Sequence, residues 1–274
     1  MKTLFEGIMK SPSMKKIKSF LENQGQTLVY DVSDSAKRVA AAALYNESPR
    51  AFLIVSSSYD NVKVWMGALQ SLLPDVGVYE LPELASFDVD GAKKSMEREE
   101  RRMDILGRLA LGEPIIVLST VYAAAQKSMT RRDFEAASFT VEVGDVMPRV
   151  DFLKQLSSLG YERTAEVERT GEFSSRGGIV DVFPINATTP YRIEFFDDEV
   201  DTVRSFDIFT KRSTGTRNKF SILPLAANLE AKGAGIISFL NNDSIIIFED
   251  PLRLQSELKN TAKENKEIKK KLLD

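Results

Sequence analysis

The side chains able to do chemistry in this 274-residue chain are few in kind. It has no cysteine and no histidine, which excludes thiol nucleophiles, Ser-His and Cys-His triads, and zinc sites built on thiolate or imidazole. Hydroxyls, carboxylates, lysines and arginines remain, and their most demanding joint task is to hold a phosphate and its metal. The stretch YDVSDSAKRVAAAAL, which begins inside an apolar run at 27–32, stands where a phosphate loop would open a helix. Such a loop needs glycines so that backbone N–H groups can face the phosphates, followed by a lysine and a hydroxyl. Here glycine is absent, Asp31 and Asp34 bring negative charge to the place of the phosphate, and Arg38 follows Lys37. Ser33 or Asp34 is instead expected to cap the helix. The degenerate loop Asp31, Ser33, Asp34 and Lys37 is assigned no nucleotide. A second acidic site, IIIFEDP at 245–251, places Glu249 and Asp250 where a metal-binding pair would stand. With no phosphate loop to complement, both read as helix-capping acids, so neither a metal nor a cofactor is expected.

Basic clusters offer another chemistry, the binding of nucleic acid. Lys+Arg number 37 against 40 Asp+Glu, a net charge of −3, so any such contact must be local. The run KKSMEREERRMDILGR (93–108) mixes both signs at spacings that suit i,i+4 pairing along a solvated helix face. Arg131-Arg132 has no interleaved aromatics to form a single-strand groove. Trp65 falls on an apolar helical face and reads as core. The segment YERTAEVERTGEFSSRGGIVDVFPINATTPYRIEFFDDEVDTVRSFD (161–207) is more informative. Alternation puts Arg192 and Glu194 on one face of a strand and Ile193 and Phe195 on the other. Arg163 precedes this sheet and Arg176 is read at the start of its first strand. The charged face is either ordinary cross-strand pairing or a protein-docking face anchored by arginines.

Around these residues the chain reads as α/β. The bounded apolar runs 27–32, 51–56 and 114–120 alternate with helical stretches at 35–45, 60–73 and 92–111, the pattern of a parallel sheet. In the last helix Met96, Met103, Leu106 and Ala110 share a face, with Arg98, Glu99, Arg101 and Arg102 solvated. The texture changes near Pro148, where a helix PRVDFLKQLSSLG ends at Gly160 and an antiparallel, strand-rich segment follows. A helix near 234–240, the strand SIIIFE (244–249) and a charged helix over 251–273 close the chain. The fold expected is a degenerate helicase-like parallel α/β domain, 1–147 with 229–274, carrying an inserted α+β domain, 148–228. No apolar run approaches the roughly 18 residues of a membrane span, and a cytoplasmic location is expected. The charged helical end suggests a piece of a larger protein.

The run YER, GEFSSRGGIVDVFP, YRIEFFDDEVDTVRSFD resembles the second domain of the excision-repair protein UvrB. It resembles still more the matching N-terminal module of the bacterial transcription-repair coupling factors. QTLVYDVSDSAKR, PIIVLSTVYAAAQ and IIIFEDP extend the likeness over nearly the whole chain. The missing glycines, and the short ELPELASFDVDGAKKS where UvrB has a long aromatic hairpin, favour the coupling factors. The resemblance implies a non-enzymatic module that binds UvrA through the inserted domain. The parent would be an ATP-driven DNA translocase whose ATP, Mg, RNA polymerase and DNA contacts lie elsewhere. Carried over by position, the UvrA-facing residues are Arg163, Arg176, Phe183, Arg192 and Glu194, with Ser174 standing where UvrB-like chains tend to have a second Arg. The rival readings are a cryptic ATPase or helicase half completed by another chain, and direct DNA binding through Arg98 to Arg108 and Arg131-Arg132.

Overall fold

A computed structural model describes residues 2–23, 25–84, 92–225 and 233–260. In chain order its elements are α1 (Lys2–Met9), α2 (Pro12–Glu22), α3 (Asp34–Glu47), β1 (Phe52–Ser56), α4 (Tyr59–Leu72), β2 (Val78–Glu80), α5 (Ala92–Ala110), β3 (Ile116–Thr120), α6 (Val121–Ala125), α7 (Arg131–Ala137) and β4 (Phe139–Glu142). There follow α8 (Arg149–Ser158), β5 (Glu162–Arg163), β6 (Glu172–Arg176), β7 (Ile179–Val182), β8 (Tyr191–Phe196), β9 (Glu199–Phe206), β10 (Ser213–Arg217), β11 (Lys219–Ile222), a 3-10 turn (Ile236–Phe239) and β12 (Ile245–Phe248). Residues 251–260 are again helical, while the rest of the expected C-terminal helix, 261–273, lies outside the described residues.

The chain divides into two compact units. The first comprises 1–83, 109–126 and 239–274 and is built on a four-stranded parallel sheet of order β12-β1-β3-β2. Strands β1 and β3 are buried at every position, as continuous β-branched runs require when both faces of a parallel sheet are covered. Ala41, Ala42 and Ala43 join Phe52, Ile54, Trp65, Leu69 and Ile116 in the core. Three successive alanines let α3 approach closely at little entropic cost. The expected strand at 27–32 is a correction. It is neither helix nor strand, and Leu28 and Tyr30 are 72% and 81% exposed. Asp31 adopts φ 60°, a left-handed turn that breaks an extended run, and a strand without a neighbour leaves its backbone groups unpaired.

The second unit comprises 84–108 and 127–238. The expected insertion at 148–228 falls inside it, and its C-terminal boundary lies among undescribed residues. The unit reaches further upstream for a physical reason: β4, which the sequence reading missed, pairs antiparallel with β11, Phe139 opposite Ile222 and Val141 opposite Phe220. Its main sheet has six strands in the order β10-β9-β8-β7-β6-β5. The inner face buries Phe173, Val180, Val182, Ile193 and Val203. Phe152 of α8 packs against Phe195 at 5.7 Å and Phe139 at 5.9 Å, and Tyr191 meets Phe220 at 4.4 Å. As the sequence suggested, α8 starts after Pro148 and stops before Gly160, whose φ of 92° suits glycine. Tyr161 Oη donates to the Leu223 carbonyl at 3.0 Å. In α5, Arg102 is a further correction: it is 1% exposed instead of solvated, and burial lowers its pKa to about 10. Met103 and Leu106 are buried as expected, and the side chain of Met96 lies outside the described residues.

The hairpin joining β6 to β7 sets the edge of the charged face. Arg176 pairs with Ile179 across Gly177-Gly178, a two-residue connection that demands unusual backbone angles. Gly177 has φ 58° with open space around it, whereas a Cβ on Gly178 would stand 2.8 Å from the Phe195 carbonyl oxygen. Gly177→Ala is therefore expected to cost about 1 kcal/mol and Gly178→Ala about 2–3 kcal/mol. Urea denaturation of both variants checks the order, and equal or reversed costs contradict this packing.

Candidate functional site

Two places could carry function, the segment around Lys37 and Glu249 in the first unit, read from the sequence as a degenerate phosphate loop, and the outer face of the six-stranded sheet in the second. In the first, Ser33 Oγ accepts from the Ala36 N–H at 3.4 Å and caps α3. Lys37 Nζ lies 2.8 Å from Asp34 and 2.5 Å from Glu249 Oε1, and Ser56 Oγ donates to Glu249 Oε2 at 2.5 Å. The Glu249 side chain is only 9% exposed. Burial works to raise its pKa, but the hydrogen bonds from Lys37 and Ser56 outweigh it and hold the carboxyl below its ordinary value of 4.5. Lys37 is likewise held above its ordinary value: desolvation opposes the charge, and its hydrogen bonds to Asp34 and Glu249 prevail. The lysine that a phosphate would need is engaged by two carboxylates, so these residues do not fit a nucleotide. Glu249 is thus an internal ion-pair partner and not a cap, a correction to the expectation. Asp250 does cap, accepting from the Arg253 N–H at 3.2 Å.

On the sheet, register decides which side chains share a face. Arg176 is opposite Ile179, and Ile179 opposite Glu194, which faces Thr202. Ser174 is opposite Asp181, Asp181 opposite Arg192, and Arg192 opposite Arg204. These two rows form the outer face, alternate to the buried Val180, Ile193 and Val203. Three of the sequence-derived candidates, Arg176, Arg192 and Glu194, are therefore brought together. Arg176 ends β6, a strand the sequence reading missed, instead of starting the next one. Arg163 is exposed but pairs with Phe173, so it belongs to the other face. Phe183 is 8% exposed and its backbone bonds Gly171 and Glu172. It packs toward the interior and is left out of the candidate surface.

The polar partners on this face were not foreseen. Arg192 does not pair with Glu194. It makes a bidentate bridge to Asp181, Nε and Nη2 each 2.7 Å from a carboxylate oxygen, and its guanidinium lies 4.8 Å from the Phe206 ring centroid. Such a fork holds both side chains in one geometry. Glu194 takes Arg204 at 3.5 Å. Arg176 is exposed and has no ion-pair partner among the described residues. Near β5 and β6, Arg169 bridges Glu162 at 2.8 Å, Glu172 at 3.1 Å and Glu100 at 3.4 Å, which ties the 168–172 loop to the sheet edge and to α5. Of the basic residues read as possible nucleic-acid contacts, Arg108 of α5 bonds Asp104 at 3.0 Å and Arg131 of α7 bonds Glu135 at 2.7 Å. Among the described residues no group of three or more acidic side chains could hold a metal, and no helix is long and apolar enough to cross a membrane.

Residues 139–227 match the family described as the UvrB interaction domain. The match opens on β4 and closes beyond β11, the strand pair that completes this part of the second unit. The chain is similar to the transcription-repair-coupling factor of Bacillus subtilis (strain 168), 36% identical over 221 residues, which is 79% of this chain and 18% of that relative. The same-named protein of Staphylococcus epidermidis (strain RP62A) is 33% identical over 201 residues, covering 73% of the chain and 17% of the relative. That of Staphylococcus aureus (strain USA300) is 31% identical over 191 residues, covering 69% and 16%. The chain thus spans less than a fifth of the length of the curated relatives it matches. The resemblance to the coupling factors read from the sequence agrees with these relatives.

The Lys37–Glu249 pair generates a test in pH. A carboxyl whose folded pKa lies below its unfolded value adds stability that is complete above the unfolded pKa and lost as pH falls through the folded one. That contribution is expected to fade as pH drops below about 4.5. Glu249→Gln should cost roughly 1–3 kcal/mol at neutral pH and flatten the acid limb of the stability curve. Chemical denaturation at pH 7 and pH 3.5 measures both, and a variant equal to the parent at pH 7 contradicts the pair's role.

Proposed function

We propose that this chain is a non-catalytic adaptor that binds UvrA through the outer face of its six-stranded sheet and so recruits nucleotide-excision repair. The observation that carries the reading is the coincidence of the UvrB interaction domain, 139–227, with the sheet on which Arg176, Arg192 and Glu194 share one face. The relatives' name couples transcription to repair, which supports a parent that acts at stalled RNA polymerase. In that parent, an ATP-dependent DNA translocase in the cytoplasm, RNA polymerase, DNA, ATP and Mg would be bound by other parts. The reading is one of docking and not of chemistry, because the lysine of the phosphate site is engaged by Glu249 and Asp34.

The same observations favour docking over the rival readings. A cryptic ATPase half needs a cationic loop open to phosphate, and Lys37 is not open. Direct DNA binding draws on a basic row, of which Arg102 is buried and Arg108 and Arg131 are paired within their helices. Arg163 and Phe183, which the resemblance offered as UvrA-facing, are left out of the proposed surface on register and burial.

The test is capture of purified UvrA by the isolated chain, with calorimetry against Mg-ATP alongside. UvrA is expected to bind, and Mg-ATP is expected to show no dissociation constant below about 1 mM, roughly −4 kcal/mol. Absence of UvrA binding, or ATP binding tighter than that, overturns the adaptor reading.

A further inference from the structure

The charged rows of the outer face are mostly neutralised within the chain. Arg192 is held by Asp181 and covers Phe206, and Arg204 is shared with Glu194. A partner that recruited Arg192 would have to break a bidentate bridge, and the gain from a new ion pair would be offset by the old one lost. At the hairpin end of the same face the chemistry differs. Phe196 is 73% exposed and Ile179 is 38% exposed. Phe196 continues the alternation Arg192, Glu194, Phe196 along β8 and pairs with Glu199, which in turn bridges to Val146, 76% exposed. Bridged residues project to the same side, so Phe196, Glu199 and Val146 form a row across the end of the sheet. Ile179, opposite Glu194, is the diagonal neighbour of Phe196 toward the Gly177-Gly178 turn, within reach of an aromatic ring. Arg176, opposite Ile179, supplies a cation without an ion-pair partner among the described residues.

Solvent-exposed Phe and β-branched side chains gathered at one end of a face, with one uncommitted Arg beside them, have the composition of an interface centre, where aromatic residues and arginines are enriched. The backbone beneath them is closely hydrogen-bonded. Two two-residue hairpins end there, at Gly177-Gly178 and at Asp197-Asp198, with Asp197 at φ 53°. The 144–147 segment is stitched to 198–200 by three backbone hydrogen bonds, Gly144 to Val200 at 2.8 Å, Met147 to Asp198 at 2.7 Å and Val200 to Asp145 at 2.9 Å. A preorganised apolar group loses little conformational freedom on docking.

We infer that the UvrA-docking face is anchored by an apolar strip, Phe196 with Ile179 and Val146, flanked by Arg176, and that Arg192 is a positioning residue held inside the chain. The partner surface it fits is an apolar slot with a carboxylate at its rim to meet Arg176. This inference rests on the UvrA reading above. It adds which side chains carry the binding.

The test measures UvrA affinity for the full chain and three variants whose thermal midpoints are first matched to the parent. Phe196→Ser is expected to weaken binding at least tenfold, the scale of an interface anchor at about 1.4 kcal/mol per decade. Arg176→Glu is expected to weaken it similarly. The double variant Asp181→Asn with Arg192→Gln, which keeps a neutral hydrogen-bonded pair, is expected to stay within about threefold. A Phe196→Ser variant that binds as the parent does, while the Asp181/Arg192 double variant loses binding, overturns the strip and leaves the UvrA reading standing. Absence of binding by the parent itself overturns the UvrA reading and the strip with it.

Discussion

The bidentate bridge between Arg192 and Asp181, beside the buried pairs Val180–Ile193 and Ile193–Val203, fixes the register of the central strands of the six-stranded sheet. Side chains alternate along a strand, so a slip of one residue would turn the apolar row to solvent and drive arginines into the core. The bridge is compatible with one register only, and the valines and isoleucine are buried only in that register. The outer face, with its paired charges and exposed Phe196, is the necessary complement of this core. The one irregularity, a shift between Glu194 and Phe195, is where the strand pair bends toward its hairpin, as bulges commonly do.

In the first unit a buried carboxylate is neutralised from within. A buried carboxylate at the end of a parallel strand is costly without a counter-charge. Lys37 on α3 and Ser56 on β1 supply that partner to Glu249. Aspartates at 31 and 34, unfavourable beside a phosphate, are tolerated here because Asp34 pairs with Lys37 and Asp31 occupies a turn. The charges of Lys37, Asp34 and Glu249 are thus satisfied by one another.

Much of this was legible in the sequence where local pattern and burial coincide. The runs at 51–56, 114–120 and 244–249 are continuous and apolar, and became β1, β3 and β12. Ser33, Pro148 and Gly160 marked helix ends through their backbone chemistry. The run at 27–32 shows the limit: apolar periodicity measures what a segment could bury, while a strand also needs a neighbour to pair with. β10 reads STGTR, without an apolar residue, and exists only through its pairing with β9. Arg102 sits in a helix whose charges suit a solvated face, and only the fold buries it. In the site, alternation correctly grouped Arg192 with Glu194. It could not tell that Asp181 and Arg204 are their partners, since cross-strand register is a long-range property. The FF pair at 195–196 did contain the missed signal: if Phe195 faces the core, Phe196 must face out.

Function is proposed to lie on the outer face of the six-stranded sheet and not at the Lys37–Glu249 cluster. Hydroxyl-radical footprinting of the chain with and without UvrA tests it most directly, because aromatic and aliphatic side chains report their own exposure. Phe196 and Ile179 are expected to lose reactivity on UvrA addition, while Leu28 and Tyr30, exposed beside the remnant loop in the sequence, keep theirs. Protection of Leu28 and Tyr30 with Phe196 and Ile179 unchanged would contradict the account.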